Sequence, residues 1–263
     1  MICLGLDVGG TSCRAEWWPA GARPCGVAPG VQPAVQGVDA AVAGLLRVLR
    51  ELVGAEAPAA AVVAMAGAGD PRIANEIRAG LGAAGIGFPV AVVGDVLAAA
   101  AAALGEAPGV LLWSGTGSFA VARGADGVLH RVGGRGYLLG DQGSGYDLVR
   151  RAAAAVVLAL DGLGPATALT GALTGAFGAA SPARLGAVLQ QLPTGAVAAE
   201  LPVVLRVAAA GDAVAGEVLA QGAEALALLA AAAARSAGLE PRGLASHLGG
   251  GVLLHVPAIA ELV

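Results

Sequence analysis

The sequence predicts a mixed α/β protein of two domains, residues 1–106 and 107–263, with a cleft between them. The main observation is that each half begins with a strand, a glycine-rich turn and a second strand. In both halves, apolar segments with strand and helix patterns then follow one another. The architecture repeats without a clear repeat of sequence, and 263 residues suffice for two moderate domains. Because clefts between domains commonly bind ligands, we expect the functional site there.

In the first half, three strands are predicted before helices and strands alternate. Residues 2–8 are apolar with an acid near the end, and 13–18 follow a glycine turn, so the two segments predict a hairpin. Residues 38–53 place apolar side chains at helical spacing. The other predicted elements are a strand at 24–28, a loop at 29–37, a strand at 60–66, a helix at 71–81, a strand at 90–93 and a helix at 96–104.

The second half opens with three more predicted strands, at 109–113, 119–123 and 128–132. A glycine-rich loop, 133–147, then leads to a helix predicted at 148–160. The remaining predicted elements are helical pieces broken by glycine and proline at 161–200, a mostly helical stretch at 201–236, a strand at 244–248 and a last helix after Pro257.

Composition narrows the class of protein. The net charge is −4 and no Lys/Arg cluster occurs, so a nucleic-acid partner is not expected. The apolar runs 96–104 and 225–234 are too short to span a bilayer, and no signal-like segment opens the chain, so neither a membrane nor secretion is expected. The three cysteines lack CxxC spacing and are expected to act as small buried side chains in a reduced, cytoplasmic protein. An enzyme or a binding domain remains.

Two glycine turns carry the first chemical signal. DVGGT (7–11) combines a strand-end carboxylate with backbone N–H groups that could cradle phosphate, while the carboxylate could hold a metal ion or its water. SGTGS (114–118) repeats the device and adds the hydroxyls of Ser114, Thr116 and Ser118. Either could be a plain hairpin turn, but as a pair they could clamp one polyphosphate. Neither is a Walker A or a dinucleotide loop, because no GKS or GKT occurs and strands flank both turns.

Two further segments place chemistry at the ends of strands. Asp95 stands between a strand and a helix, where it could be a helix N-cap, a general base for a substrate hydroxyl, or both. LGGGVL (248–253) joins a strand to a helix through glycines, either as a close turn or as a flat surface for adenine or ribose.

The loop GGRGYLLGDQGSGYD (133–147) is rich in glycine and contains two acids. It could bring backbone close to a ligand or form a tight structural crossover. Asp141 is the candidate functional acid, and Asp147 is the candidate residue at the helix start. The apolar residues expected to anchor the loop are Tyr137, Leu138, Leu139 and Tyr146.

Taken together, these segments resemble the sugar kinase, Hsp70 and actin superfamily, and within it the BadF/BadG/BcrA/BcrD ATPases and the related N-acetylglucosamine kinases. The resemblance implies two ribonuclease-H-like domains of the actin-like ATPase type. It also implies an ATP- and Mg²⁺-dependent kinase that phosphorylates a hydroxyl of an amino sugar, N-acetylglucosamine or glucosamine. The expected assembly is a cytoplasmic homodimer. The segments that carry the resemblance are LGLDVGGT (4–11), GD (94–95), LLWSGTGS (111–118), GGRGYLLGDQGSGYD (133–147) and LGGGVL (248–253).

The resemblance also implies a role for each matching residue. Asp7 would hold Mg²⁺ through water, and Asp95 would be the base that activates the sugar hydroxyl. The residues implied to contact ATP are Gly9, Gly10, Thr11, Gly115, Thr116, Gly117, Gly249, Gly250 and Gly251. The residues implied to contact the sugar are Gln32, Asp95, Thr116, Gly117, Gly134, Asp141 and Gly145.

Several positions depart from the family pattern. Gln142 replaces a usual Glu, Arg135 a usual Trp, and Phe119 stands where animal N-acetylglucosamine kinases carry a sugar-binding Asn. The chain ends about a dozen residues after Gly251, where the family adds a strand and a helix. Two other functions therefore stay open: an ATPase activator of a radical dehydratase, and a sugar or nucleotide sensor without catalysis. The activator is disfavoured because such proteins need cluster-binding cysteines, and no Cys follows Cys25.

Overall fold

The chain forms two compact units, which we call unit 1 (Met1–Ala102) and unit 2 (Ala103–Val263). The computed structural model describes residues 1–9, 12–21, 26–31, 33–53, 57–241 and 246–261. Each unit has its own sheet and its own apolar core.

Among the described residues of unit 1, the elements are β1 (Cys3–Val8), β2 (Ser12–Trp18), β3 (Gly26–Pro29), α1 (Pro33–Gln36), α2 (Val38–Val53), β4 (Ala60–Met65), α3 (Pro71–Ala83), β5 (Val90–Gly94) and α4 (Asp95–Leu104). The strands form a mixed five-stranded sheet with the order β3-β2-β1-β4-β5, in which β1, β4 and β5 are parallel and β2 and β3 are antiparallel additions.

The two faces of this sheet differ in burial. Leu4, Leu6 and Val8 alternate along β1 and are buried with α2 and α3, because successive strand residues point to opposite faces. Asp7, between Leu6 and Val8, lies on the opposite face and is exposed. Cys13 on β2 belongs to the core, as expected for a small apolar side chain, while Cys25 lies outside the described residues.

Unit 2 contains a four-stranded sheet of order β8-β7-β6-β9. Numbered within each unit, these strands have the order 3-2-1-4, which is also the order of the first four strands of unit 1. In the part of it that the structure describes, the elements are β6 (Gly109–Ser114), β7 (Ser118–Arg123), β8 (Leu129–Gly133), α5 (Gly145–Leu160), α6 (Leu169–Ala176), a 3-10 turn (Pro182–Arg184), α7 (Leu185–Leu189), α8 (Thr194–Ala198), α9 (Leu201–Ala209), α10 (Ala213–Ser236), β9 (Ser246–Gly249), α11 (Gly251–His255) and α12 (Pro257–Ala260).

Helix α10 is the longest helix among the described residues of unit 2. It is 24 residues long, and among the described helices it alone is long and apolar enough to cross a membrane. The apolar run 225–234, judged too short for that from the sequence, is therefore only part of a longer helix. Eight of its residues are buried, and it packs against β6, β7 and α5. A core helix passes the same length and composition test, and these contacts place α10 in the core of unit 2.

The predicted elements are present, with shifted ends in several cases. Helix α5 begins at Gly145 rather than 148, because the Ser144 hydroxyl caps it by accepting the N–H of Asp147. The stretch 201–236 is two helices, separated where Asp212 caps α10. The segment 29–37, predicted as a loop, contains the short helix α1.

Candidate functional site

Unit 1 places two candidate acids at one edge of its sheet. Asp7 lies at the carboxyl end of β1, and Asp95 directly follows β5. Because β1, β4 and β5 are parallel and adjacent, the two strands that end at these acids lie two strand spacings, roughly 10 Å, apart. Asp7 is exposed beside the first glycine turn, where Gly9 donates its N–H to the Ser12 carbonyl at 2.9 Å. Gly10, Thr11 and Gln32 lie outside the described residues.

Asp95 is held at the first residue of α4. One oxygen of its carboxylate accepts the N–H of Val96 at 2.9 Å, and the side chain is half-buried. The strand end before it is tight, because a Cβ on Gly94 would lie 3.1 Å from the Cα of Gly69. Asp70, in the turn between the neighbouring strand β4 and helix α3, has a different use: it caps α3 and pairs with Arg72 at 2.8 Å.

In unit 2 the turn 114–118 and the loop 140–145 form a hydrogen-bonded structure that we call the clasp. Ser114 Oγ donates to the Gly143 carbonyl at 2.9 Å, and Ser118 Oγ donates to the Gln142 carbonyl at 2.7 Å. The Gly145 N–H donates to the Gly115 carbonyl at 2.8 Å. Both serines are buried, so their hydroxyls, considered above as ligand groups, serve the loop instead. Thr116, at the tip of the turn, remains exposed.

The clasp presents the carboxylate of Asp141. This residue has φ 58°, a left-handed conformation that Asp adopts more readily than most side chains. Burial raises the pKa of Asp141, against the opposing effect of backbone N–H groups of Ser118 and Gly136 that hydrogen-bond the carboxylate and of the nearby Arg131 charge. A Cβ on Gly117 would lie 2.9 Å from Asp141 Oδ2, so glycine at 117 leaves room for this carboxylate.

Asp147 anchors the end of the loop rather than the candidate site. Its Oδ2 accepts the Gly143 N–H at 3.0 Å, and its two oxygens accept from Arg150 and Arg151, each at 2.7 Å. Burial alone would raise the pKa of Asp147, but these hydrogen bonds outweigh burial and hold the pKa below its usual range. This agrees with the prediction that Asp147 marks the helix start.

The glycines after β9 pack directly against the same turn. Gly250 has φ 84°, and a Cβ there would lie 2.3 Å from the Ser114 carbonyl oxygen. A Cβ on Gly115 would lie 3.9 Å from the Gly251 nitrogen, and a Cβ on Gly249 would lie 2.5 Å from the Trp113 ring. Three glycine segments that are distant in sequence therefore meet around residues 114–118.

Those predicted site residues that the structure describes thus fall into one group in each unit. Gly134 joins the unit 2 group, since its N–H donates to the Ser118 carbonyl at 2.9 Å. Leu138, Leu139 and Tyr137, expected as anchors of the loop, are exposed, so that prediction is wrong for these three residues. Tyr137 contacts the half-buried Tyr146 edge to face. Sequence reasoning missed the Ser144 cap, although Ser followed three residues later by an acid is a capping pattern. It also gave no role to Trp113.

The two sheets and their strand order define the class of protein: an actin-like fold of the kind found in sugar kinases. A structure from Chromobacterium violaceum, described as a candidate N-acetylglucosamine kinase, matches 100% of this chain and 90% of its own with a TM-score of 0.79 and 25% identity. A ROK family glucokinase from Streptomyces griseus, solved with glucose and AMPPNP, matches 100% of this chain and 88% of its own with a TM-score of 0.57 and 19% identity. The predicted fold class is confirmed.

The chain belongs to the BadF/BadG/BcrA/BcrD ATPase family, whose sequence profile matches residues 4–263. An N-acetylmuramic acid/N-acetylglucosamine kinase from Clostridium acetobutylicum is 38% identical over 82 residues. That match covers 31% of this chain and 27% of the relative's length. The resemblance found in the motifs is therefore confirmed at the level of the family.

Proposed function

We propose that this protein transfers the γ-phosphoryl group of ATP to a hydroxyl of an amino sugar, N-acetylglucosamine or glucosamine. The observation that carries the proposal is the convergence of three glycine segments around residues 114–118, with the Asp141 carboxylate held beside them. Such a site offers backbone groups to phosphates and a carboxylate to sugar hydroxyls. The family and the names of the similar kinases support this choice of substrates.

The residues of unit 1 would supply the remaining chemistry. Asp95 would accept the proton of the attacking sugar hydroxyl. The hydroxyl oxygen would bond to the γ-phosphorus while the bond between the γ-phosphorus and the bridging oxygen of ADP breaks. Asp7 would hold Mg²⁺ through water, and the bound ion would neutralise negative charge on the phosphates. Within the described residues, no three His, Cys, Asp or Glu side chains form a metal cluster. That arrangement suits Mg²⁺, which is often held by one or two carboxylates together with waters and substrate phosphates.

A coupled assay of ADP release over a panel of hexoses and amino sugars tests the proposal. ADP release that rises with N-acetylglucosamine or glucosamine is the expected result. Release stimulated by none of the sugars would contradict it, and tight sugar or nucleotide binding by calorimetry without turnover would favour the sensor instead. The predicted cytoplasmic homodimer stays a prediction.

Asp95→Asn tests the base. We expect kcat to fall about 100-fold or more, since general base catalysis contributes on that scale, while ATP binding survives. Asp70→Asn is the matched control, because Asp70 also follows a strand of the same sheet but caps α3. It should keep the wild-type kcat. An Asp95→Asn enzyme with near-full turnover would refute the assigned role.

A further inference from the structure

Trp113 occupies in unit 2 the strand position that Asp7 occupies in unit 1. Each is the fifth residue of a six-residue strand, and in both units three residues with two glycines separate that strand from the next one in the sequence. Each strand stands third in the shared strand order, next to a parallel strand. Each residue also lies on the face opposite the apolar core: Asp7 is exposed, and 36% of Trp113 is exposed. The fold therefore places an indole where its first half places the candidate metal ligand.

The indole contacts two of the converging glycine segments. Trp113 pairs with Gly249 across β6 and β9, and a Cβ on Gly249 would collide with the six-membered ring at 2.5 Å. Toward the turn, the indole Nε1 lies 3.6 Å from where a Cβ on Gly115 would stand. Phe119 of β7 stacks beside the indole, with ring centroids 6.1 Å apart and planes 7° apart. These neighbours fix the ring between the turn and the glycines after β9.

The indole also has unused binding capacity. In the part of the chain that the structure describes, Nε1–H has no hydrogen-bond acceptor, and the ring keeps an exposed surface. Tryptophan in such a position offers an apolar surface and one donor to a ligand. The segments it touches are those in which the sequence suggests a phosphate contact (114–118) and an adenine or ribose contact (248–253). The part of ATP that would span both is the ribose with its α-phosphate.

We infer that Trp113 is a nucleotide-binding residue, which contacts the ribose and α-phosphate of ATP. This inference rests on the proposed ATP site. At the equivalent strand position, unit 2 would thus supply an aromatic contact and unit 1 an acid. Metal binding would then fall to Asp7 alone, and not to one acid from each unit.

Acrylamide quenching of tryptophan fluorescence tests the contact without any sugar. The chain has three tryptophans: Trp17 is 4% exposed, Trp18 is 71% exposed, and Trp113 is the third. In the Trp18→Phe variant, quenching therefore reports mainly on Trp113. We expect ATP or ADP with MgCl₂ to protect this variant from acrylamide, and tripolyphosphate, which lacks adenosine, to protect it little.

Trp113→Ala should raise the calorimetric Kd for ATP about tenfold or more, the scale of a lost hydrogen bond to a charged phosphate, with the KM for the sugar unchanged. Trp113→Phe keeps a ring and loses the N–H, so its Kd for ATP should lie between those of the wild type and Trp113→Ala. Because this variant keeps an aromatic ring in the strand, it also serves as a control for a folding defect in Trp113→Ala. Trp18→Phe should bind ATP as the wild type does.

Three results would overturn the inference: unchanged quenching at a saturating ATP concentration, wild-type ATP affinity in both Trp113 variants, or equal protection by tripolyphosphate and ADP. Protection by ADP in an enzyme that no sugar stimulates would support the nucleotide contact while refuting the kinase proposal. Kinase activity with no change at Trp113 would do the reverse. If calorimetry finds no ATP binding, both proposals fail.

Discussion

The serine hydroxyls of the clasp allow a graded test of how the loop is held. Ser114→Ala removes the donor to the Gly143 carbonyl, and Ser118→Ala removes the donor to the Gln142 carbonyl. In the first case both groups are buried, so the carbonyl loses its partner without access to water. In the second case the carbonyl is only part-buried and can recruit water. The structure therefore predicts a larger loss for Ser114.

The free energies follow from the cost of an unpaired buried polar group. Ser114→Ala should lower the free energy of unfolding by about 1–3 kcal/mol, and Ser118→Ala by about 0.5–1.5 kcal/mol. In a unit of this size, each kcal/mol lowers Tm by about 2–4 °C. Ser236→Ala is the matched control, because its exposed hydroxyl also donates to a carbonyl, that of Ala232 at 2.9 Å. Its effect should stay within about 0.5 kcal/mol.

Urea unfolding followed by circular dichroism measures the three variants, and the sugar assay gives their KM values. The Ser118 hydroxyl also holds the backbone of Gln142, the residue next to Asp141, so Ser118→Ala should raise the KM for the sugar while the KM for ATP changes little. Equal stabilities for Ser114→Ala and Ser236→Ala would refute the reasoning, as would a Ser118→Ala enzyme that loses ATP affinity and keeps its sugar KM.

Two further predictions concern the acids of the loop. Asp141→Asn should impair sugar turnover yet leave stability at pH 7 unchanged or slightly higher. Because burial raises the folded-state pKa of Asp141, the ionised carboxylate costs stability. Any gain in stability from Asp141→Asn should therefore vanish in melts at a pH low enough to protonate Asp141 in the wild type. A large drop in Tm at pH 7 would contradict this. Asp147→Asn should destabilise the protein by about 1–3 kcal/mol at pH 7. Because the folded-state pKa of Asp147 is lowered, the stability that its carboxylate contributes is present above the unfolded pKa of about 3.9 and is lost as the pH falls through the folded pKa. A stability difference between wild type and Asp147→Asn that persists at low pH would contradict this prediction.

Most of the fold could be predicted because its strands and helices carry strong local patterns. The apolar alternation of β1 and the helical spacing of α2 are both visible in sequence. Ends were harder, since they depend on single hydrogen bonds such as the cap of Ser144 on α5. Helix α1 has only four residues, too few for a periodicity to show.

The candidate site was predictable in composition and less so in the roles of its members. Glycine turns, strand-end acids and the loop 133–147 identified the family from sequence. The pattern could not show that Ser114 and Ser118 point inward, because a hydroxyl in a glycine turn can bind either a ligand or a distant carbonyl. Trp113 carried no signal either, since an aromatic residue in an apolar strand looks like core until the sheet shows which face it occupies.

The structure also bears on the replacement of the usual Glu by Gln142. The clasp uses the backbone carbonyl of Gln142, which any residue supplies, to accept the Ser118 hydroxyl at 2.7 Å. Within the described residues, the Gln142 side chain makes one hydrogen bond, a long one to the Leu139 carbonyl at 3.4 Å. The exchange therefore removes a negative charge beside Asp141 without disturbing the hydrogen bonds that hold that carboxylate. It follows that Gln142→Glu should leave stability nearly unchanged, and that any effect of this position on the choice of sugar is electrostatic rather than structural.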